Sequence, residues 1–521
     1  MRLRTVVVGV VAVLMTGLAL VPSRSLGAEP TGRLTLGTGD PPETIDPHMS
    51  ITLPSWTVVR NVFDSLLVRD LKTYGYKPGL AESHQILNDT TWQFKLRKGV
   101  KFHNGEEFNA EAVKFSVERV ISPDQKSPSR GQNVLIYRVE VVDPYTVNII
   151  TKKPMPMLRE RFVSPGYTGT ISIVPPRYVR EKGDQYFNTN PVGTGPFRVV
   201  KWVKGDYVEL EANNEYWAGP AKIKTVIIKA IPEPTTRVSA LLTGDADIIE
   251  SIPPDLVETV KKAPGAHVAE TDVDGVPTDV EFNATKGGPL ADPRVRCALS
   301  STVDMDLVVK KIVRGYGTRR PVPLDPRAFG YNPNLPLQKY DLEKAKKLLA
   351  EAGYANGQGI PELEFLYMRG GGGILLVADP IAEYVAQQFS KLGVRVQLIP
   401  LDSGAFSARG RDKKAWDMRM TGWGGGGRFE VGDTLFFEYH SGAPSSGLND
   451  KEFDQILDQA RETMDPEARK QLYGKAQEWV HNRCGSLPTF QNKVIFGVRN
   501  DIDWSPSVGQ FVILHQAGRK K

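Results

Sequence analysis

The sequence has 521 residues, of which 40% are hydrophobic and 24% are charged, and its formal net charge is +6. This composition is that of a folded globular protein, and the length exceeds what one hydrophobic core usually supports, so two or three domains are expected. Basic residues are dispersed and nearly balanced by acidic ones, which argues against a nucleic-acid-binding surface.

The first segment predicts export. Arg2 and Arg4 precede a mostly apolar run from Val6 to Val21, and Ala28 offers a small residue at a cleavage point. Basic start, apolar centre and small-residue end are the three parts of a secretory signal. The alternative is a retained membrane anchor, but the run is short for a spanning helix. We therefore predict a signal peptide over residues 1–28 and a periplasmic mature protein.

In the rest of the first half, segments whose apolar residues alternate with period two are interspersed with segments of helical spacing, as in α/β proteins. The predicted elements are a strand at Leu34 to Leu36, a helix at Val59 to Leu67, a strand at Trp92 to Leu96, a helix at Val113 to Val120 capped by Asn109, a hairpin at Phe197 to Leu210, a strand at Lys222 to Ile231 and a helix at Thr235 to Leu242.

The second half contains a strand–helix–strand unit. Leu363 to Tyr367 alternate as a strand, Asp379 and Pro380 begin a helix, and Val394 to Leu398 alternate again. Such a crossover makes its two strands parallel neighbours. Trp416 to Met420 predicts a third strand. Two helices precede this unit, one opened by Asp292-Pro293 and one over Asp341 to Ala352.

Glycine-rich loops follow two of these strands. The first begins with Arg369, and the second contains Trp423, Gly424, Gly425 and Arg428. In open parallel sheets, ligands bind outside the carboxyl ends of the strands. Glycine backbone can approach a ligand closely, arginine matches a carboxylate or phosphate, and tryptophan offers a flat apolar face. We predict that these residues bind a ligand. The alternative is a pair of solvated surface turns and a core tryptophan.

The motifs of common enzyme classes were not found: the sequence has no G-x-S-x-G, no H-E-x-x-H and no phosphate loop. Its seven histidines are scattered without metal-ligand spacing. We expect no catalytic residue, no metal and no cofactor. Cys297 and Cys484 could pair in an oxidising compartment or remain buried thiols, and the length of the chain favours the thiols.

Several runs of residues resemble one family, the extracellular solute-binding proteins of peptide, opine and nickel ABC importers (solute-binding protein family 5). The most specific runs are Leu96-Arg97-Lys98-Gly99-Val100-Lys101-Phe102-His103-Asn104-Gly105 and Gly193-Thr194-Gly195-Pro196-Phe197. The resemblance extends over nearly the whole mature chain, from Leu36-Gly37 to the tail. It implies a non-enzymatic, monomeric receptor that hands a peptide or other small ligand to membrane permease subunits driven by cytoplasmic ATPases.

The resemblance also implies an α/β, two-lobed periplasmic-binding-protein-like fold of type II, in the large cluster with an extra subdomain, joined by a two-strand hinge. It places Ser50 to Trp56 on the lip opposite the glycine loops. The implied segments are 29–72 and 190–281 for lobe I, 73–189 for its inserted subdomain, 282–491 for lobe II and 492–521 for a tail returning to lobe I.

The second glycine loop departs from the family pattern. Many peptide-binding members hold the ligand's α-amino group with an aspartate a few residues after the Gly-Trp pair, where this sequence has Gly426. Glu430 or Asp433 could substitute if the loop folds back. A buried ammonium group without a counter-charge is costly, so we predict a ligand with an anionic or neutral group at that end. The alternatives to transport are a sensory receptor and a secreted hydrolase.

Overall fold

The computed structural model describes residues 30–50, 52–70, 73–164, 169–271, 275–369, 377–422, 429–507 and 512–520. The predicted signal peptide lies outside the described residues, as do Trp423, Gly424, Gly425 and Arg428 of the second glycine loop. Within the described ranges, no helix combines the length and the apolar character needed to cross a bilayer.

The strands of the described residues are β1 (Thr31–Thr38), β2 (Leu67–Arg69), β3 (Tyr76–Pro78), β4 (Ala81–Asn88), β5 (Thr91–Leu96), β6 (Ile136–Asp143), β7 (Thr146–Thr151), β8 (Val163–Ser164), β9 (Phe197–Val203), β10 (Tyr207–Ala212), β11 (Ile223–Ala230), β12 (Ile248–Ile249), β13 (Ala266–Glu270), β14 (Pro277–Phe282), β15 (Gly317–Arg319), β16 (Leu363–Met368), β17 (Val396–Leu401), β18 (Met418–Gly422), β19 (Ser486–Asn492), β20 (Ile495–Arg499), β21 (Ile502–Asp503) and β22 (Gly518–Arg519).

The α-helices are α1 (Leu53–Val62), α2 (Ala110–Ile121), α3 (Arg130–Asn133), α4 (Pro176–Lys182), α5 (Asp184–Thr189), α6 (Pro234–Thr243), α7 (Val257–Lys261), α8 (Pro293–Ser301), α9 (Met305–Leu307), α10 (Leu342–Glu351), α11 (Ala378–Ser390), α12 (Ser403–Arg411), α13 (Val431–Tyr439), α14 (Lys451–Glu462) and α15 (Pro466–Asn482). A 3₁₀ helix at Pro156–Phe162 matters for the site described below.

Two large sheets form the centres of two lobes. The first has seven strands in the order β13-β20-β12-β1-β11-β10-β9, and the second has six in the order β15-β19-β14-β18-β16-β17. Each sheet has its own hydrophobic core, with Leu36 and Phe197 fully buried in the first and Val280 and Phe365 in the second. Burial of large apolar side chains is the main stabilising contribution in both.

A third unit, called the subdomain here, consists of the four-stranded sheet β4-β5-β7-β6, the three-stranded sheet β3-β2-β8, α2 and the 3₁₀ helix Pro156–Phe162. These elements share one core, in which Trp92, Phe94, Val113 and Phe162 are buried. The residue boundaries of the domains stay a prediction.

The chain passes between the two large sheets twice, at neighbouring positions. β13 of the first sheet leads into β14 of the second, and β19 of the second leads into β20 of the first. β14 and β19 pair in antiparallel fashion, and the Gly275 N–H donates a hydrogen bond to the Asn492 carbonyl at the crossing. Two adjacent backbone connections are an arrangement that permits hinge motion between lobes.

Most predicted elements and their caps are confirmed. Asn109 caps α2 by accepting hydrogen bonds from the Glu111 and Ala112 amides, and Asp292 and Asp341 cap α8 and α10 in the same way. The strand–helix–strand prediction is also confirmed, since β16 and β17 are parallel neighbours joined through α11.

The predicted helix from Val59 to Leu67 is wrong in its extent. The helix α1 ends at Val62, and Phe63 is already extended, with φ −122° and ψ 149°. The Val62 carbonyl accepts a hydrogen bond from the Gly195 amide at 2.9 Å, so a distant turn supplies the helix end. Leu67 then begins β2 and lies in the core of the subdomain, which explains its apolar character without a helix.

Of the two alternatives left open for the cysteines, the structure shows the disulfide and not the buried thiols that the length of the chain favoured. Cys297 of α8 and Cys484 after α15 form a disulfide with their Cα atoms 5.2 Å apart. The two segments are held side by side by Arg296, whose guanidinium donates to the carbonyls of Arg483 and Cys484. A sequence separation of 187 residues hides this contact.

Candidate functional site

One edge of the second sheet carries the starts of both glycine loops. β16 and β18 are parallel neighbours, with Phe365 opposite Met418 and Leu366 opposite Arg419. β16 ends directly before Arg369, whose side chain is exposed, and β18 ends at Gly422, directly before the second loop. The prediction that both loops begin at equivalent strand ends is confirmed. Ligand binding by Arg369 stays a prediction.

The corresponding edge of the first sheet is formed by β1 and β12, which are also parallel neighbours. Gly39 and Glu250 follow these strands, and the Gly39 N–H donates to the Glu250 carboxylate at 3.4 Å. Burial raises the pKa of Glu250 to about 7, and the positive charge of Arg237 opposes that shift. A carboxyl group therefore lies at a strand end where ligands usually bind.

Ser50, Trp56 and Arg60 line a small cavity of mixed polar and apolar character in the first lobe. The Trp56 indole N–H donates to the Ser50 carbonyl at 3.2 Å, and the Arg60 guanidinium lies 5.5 Å from the centre of the Trp56 ring. With Ser65 and Ser129 they line a space of about 20 Å³, which is room for one water-sized group. The Ser50 hydroxyl is buried and has no partner within the described ranges, so a polar ligand atom would satisfy it.

Phe429, the first described residue after the second glycine loop, contacts the first lobe and its subdomain. This residue is buried, and Trp56 and Tyr74 pack against it. The Tyr74 and Phe429 rings lie 4.7 Å apart in an edge-to-face arrangement, and the Arg69 guanidinium lies 3.9 Å from the Phe429 ring centre. Trp56, at the end of the segment 50–56, and Phe429 are therefore in contact across the two lobes.

The two acids that could replace the missing aspartate are already engaged by protein groups. The Glu430 carboxylate accepts a hydrogen bond from the Tyr473 hydroxyl at 2.9 Å and lies 3.1 Å from the Arg469 Nε. Burial raises the pKa of Glu430 to about 7, against the charge of Arg469. Asp433 accepts two hydrogen bonds from the Arg161 guanidinium, at 2.7 and 2.9 Å.

The Arg161–Asp433 pair also connects two units of the molecule. Arg161 belongs to the 3₁₀ helix of the subdomain, whereas Asp433 belongs to α13 of the second lobe. Both residues are buried. An exposed ion pair at 2.6 Å between Lys153 and Glu462 spans the same seam. The structure therefore shows the subdomain in contact with the second lobe.

Sequence reasoning missed four residues of this region. Arg60 could have been found, because it lies four residues after Trp56 and therefore on the same helix face. Glu250 follows the strand Ile248–Ile249. Because this strand has two residues, the alternation of apolar and polar side chains that marks a strand cannot be recognised in it. Phe429 and Arg161 gave no local signal, since their roles depend on contacts between separate units.

His103 is held by backbone groups of the turn at Gly193 to Gly195. His103 Nε2 lies 3.0 Å from the Gly195 carbonyl, and His103 Nδ1 accepts a hydrogen bond from the Gly193 amide. No group of three or more metal-ligating side chains is found among the described residues.

Comparison with known proteins gives a consistent result. Residues 75–444 match the family model described as the middle of bacterial extracellular solute-binding proteins, family 5. The chain is similar to the glutathione-binding protein GsiB of Pectobacterium atrosepticum, with 29% identity and 84% of each protein covered.

Solved structures show the same fold. The chain is similar to the periplasmic binding protein DppA of Helicobacter pylori in complex with the peptide STSA, with a TM-score of 0.82, 24% identity and coverage of 94% of this chain and 98% of that one. It is also similar to NikZ of Campylobacter jejuni in complex with Ni(L-His), with a TM-score of 0.81, 26% identity and coverage of 93% and 98%. The predicted two-lobed fold is confirmed.

Proposed function

The chain belongs to the bacterial extracellular solute-binding proteins of family 5, and we propose that it captures a peptide-like or other small organic solute between its lobes. The observation that carries this proposal is the contact of Trp56 of the first lobe with Phe429 of the second. A ligand that contacts both lobes binds the closed arrangement preferentially and shifts the population toward it. Delivery of the captured solute to ABC permease subunits completes the proposed role.

Closure can be measured directly. Small-angle scattering of the purified protein is expected to give a smaller radius of gyration after addition of the solute identified by native mass spectrometry. An unchanged profile at saturation would contradict capture by closure.

The ligand class follows from the charges at the cleft. Glu430 and Asp433 are engaged by Arg469 and Arg161, so neither supplies a counter-charge to a ligand ammonium group. Ser50 offers a buried hydroxyl that has no partner in the described ranges, and Arg60 lines the same cavity. We therefore favour a solute with an anionic or neutral group at the glycine-loop end, such as a carboxylate or an amino-blocked compound.

Calorimetry tests this preference. N-acetylated dipeptides are expected to bind more tightly than the unmodified dipeptides, because burying a free ammonium group there is costly. Arg60→Gln is expected to weaken binding of the acetylated compounds, whereas Arg138→Gln, in an exposed strand, serves as the matched control. Tight binding of free-amine dipeptides in both Glu430→Gln and Asp433→Asn variants would contradict the charge argument.

The remaining site residues are tested by truncation. Trp423→Ala is expected to weaken solute binding by about 1–3 kcal/mol without lowering stability. Arg369, Gly424, Gly425 and Arg428 complete the proposed second-lobe side of the site. If Trp423→Ala unfolds the protein instead, the tryptophan belongs to the core.

Export, a monomeric state and the absence of catalysis belong to the same proposal. The mature protein is expected to begin near Glu29, and an intact mass that retains Met1 would contradict cleavage.

A sensory receptor would use the same closure, so neighbouring permease and ATPase genes would favour transport. A secreted hydrolase would convert its ligand, whereas we expect the bound solute to be recovered unchanged.

A further inference from the structure

A second cavity lies at the seam between the subdomain and the second lobe. Its volume is about 290 Å³, which is near the lower end of the range for small-molecule sites. The subdomain contributes residues of β4, β5 and the 3₁₀ helix, and the second lobe contributes the residues around the start of α15. None of its lining residues is shared with the cavity at Trp56.

Arg159 is the distinctive group of this seam cavity. Its guanidinium carbon lies 4.5 Å from the ring centre of Tyr76 and 5.8 Å from that of Trp92. Its Nε is shielded from solvent and has no hydrogen-bond partner among the residues the structure describes, and no ion pair to Arg159 occurs there. Burying part of a cation without a counter-charge is costly, so an anion in the cavity would remove that cost.

Arg159 is the one lining cation of the described cavity that is not already paired with an acid. The second lining arginine, Arg469, is occupied by Glu430 and by the carbonyls of Thr463 and Met464. The described lining residues include no aspartate or glutamate. Arg159 is therefore the group available to an incoming carboxylate.

Apart from Gln85, whose amide donates to Gln93, the remaining walls are apolar and aromatic. They include Ile86, Trp92, Pro156, Met464 and Pro466. Trp92 is 1% exposed, and its indole N–H has no partner within the described part of the chain. The His84 ring, 6.1 Å from the Trp92 ring, completes the aromatic side. Burial and the charge of Arg159 lower the pKa of His84, so its imidazole is neutral at pH 7.

We propose that the seam cavity binds a small aromatic carboxylate, with the carboxylate on Arg159 and the ring against the apolar walls. An occupant of this cavity contacts the subdomain and the second lobe at once. It therefore binds best when the two units are in contact. The proposal concerns a site separate from the cleft and does not depend on which solute the cleft takes.

Titration calorimetry with benzoate tests the proposal on the full mature chain. Arg159→Gln is expected to weaken benzoate binding by about tenfold or more, because a charge-assisted hydrogen bond is lost. Arg180→Gln is the matched control, since Arg180 is exposed and stacks on Phe115 at 4.8 Å outside the cavity. Benzamide, which lacks the charge, is expected to bind about tenfold more weakly than benzoate.

A second variant separates occupancy from folding. Ile86 is 50% exposed, so Ile86→Trp is expected to fill the cavity and abolish benzoate binding while the thermal melting temperature is preserved. Val200→Trp, at a position that is also 50% exposed but lies outside the cavity, is expected to leave benzoate binding unchanged. Failure of benzoate to bind the unmodified protein, equal binding by Arg159→Gln, or loss of binding in Val200→Trp would each overturn the proposal.

Discussion

Two buried arginine–aspartate networks in this molecule are alike in chemistry and different in place. Arg119 of α2 donates to both oxygens of Asp46, at 2.5 and 2.9 Å, and also contacts Asp184 and His48. Arg161 makes the same two-bond contact with Asp433, at 2.7 and 2.9 Å. The first network joins the subdomain to the loop after β1, and the second joins the subdomain to the second lobe.

The difference lies in what each network holds together. Asp46 and His48, the two buried partners of Arg119, lie in the loop after β1, so the loss of Arg119 acts on unfolding. The partners of Arg161 lie on units that separate if the hinge opens, so its loss acts on closure. Buried ion pairs of equal geometry can therefore contribute to different equilibria.

The strongest test of this distinction is Arg119→Met. Removing the cation leaves Asp46 buried without its partner, and we expect the free energy of unfolding to fall by about 3–5 kcal/mol. Urea denaturation measures the change. Arg138→Met, which breaks an exposed pair with Glu140, is the control and is expected to change stability by less than about 0.5 kcal/mol. If Arg119→Met and Arg138→Met lower the free energy of unfolding equally, the Arg119 network does not stabilise the fold as we expect.

The pH dependence of stability is expected to have opposite signs at two buried groups, His48 beside Arg119 and Glu430 beside Arg469. Burial and Arg119 lower the pKa of His48 from 6.5 to about 4, so unfolding takes up a proton and stability falls as the pH drops from 6.5 to 4. Burial raises the pKa of Glu430 from 4.5 to about 7, so stability falls as the pH rises from 4.5 to 7. Each shift corresponds to about 3 kcal/mol over its full window.

Urea denaturation between pH 4 and 8 resolves the two contributions. Glu430→Gln is expected to flatten the loss of stability above pH 4.5, and His48→Gln to flatten the loss below pH 6.5. A Glu430→Gln profile that parallels the unmodified protein would show that Glu430 ionises as it does in the unfolded chain.

Asp433→Asn tests the second network with a smaller expected effect. We expect closure to weaken by about 1–3 kcal/mol, because Arg161 loses a charged partner. Small-angle scattering of the unliganded protein should then show a larger radius of gyration, while the urea midpoint stays close to that of the unmodified protein. If Asp433→Asn lowers the urea denaturation midpoint and leaves the radius of gyration unchanged, the Arg161–Asp433 pair stabilises the folded state and not the closed arrangement.

The smallest effect is expected for the exposed pair across the same seam. Lys153 and Glu462 lie 2.6 Å apart, with 59% and 39% of their side chains exposed. Lys153→Gln is expected to change closure by less than about 1 kcal/mol, and 0.5 M salt should remove the difference. If Lys153→Gln changes the radius of gyration more than Asp433→Asn does, the exposed pair contributes more to closure than the buried pair, which contradicts the expected order.

The sequence predicted what is encoded locally. The caps at Asn109, Asp292 and Asp341 depend on residues within one turn, and the strand–helix–strand unit depends on spacing within about 40 residues, so both could be recognised. The equivalent strand ends before Arg369 and the second loop followed from the topology of that unit.

Contacts between distant segments could not be predicted in the same way. The end of α1 is fixed by Gly195 rather than by its own sequence, so apolar spacing extended the helix too far. The Cys297–Cys484 disulfide depends on how α8 packs beside the end of α15. Arg161 and Asp433 carry no motif, and their pairing arises only when the subdomain meets the second lobe.

The two neighbouring crossings between the sheets also have a consequence for protein engineering. Because the Gly275 amide bonds to the Asn492 carbonyl, the chain leaves and re-enters the first lobe at nearly one point. A bridge of a few residues, comparable to a hairpin loop, could therefore rejoin the polypeptide and bypass residues 277–492. The second lobe is in this sense a discrete insertion in the chain of the first, and a reporter protein spliced in its place would be joined to the first lobe at both of its ends.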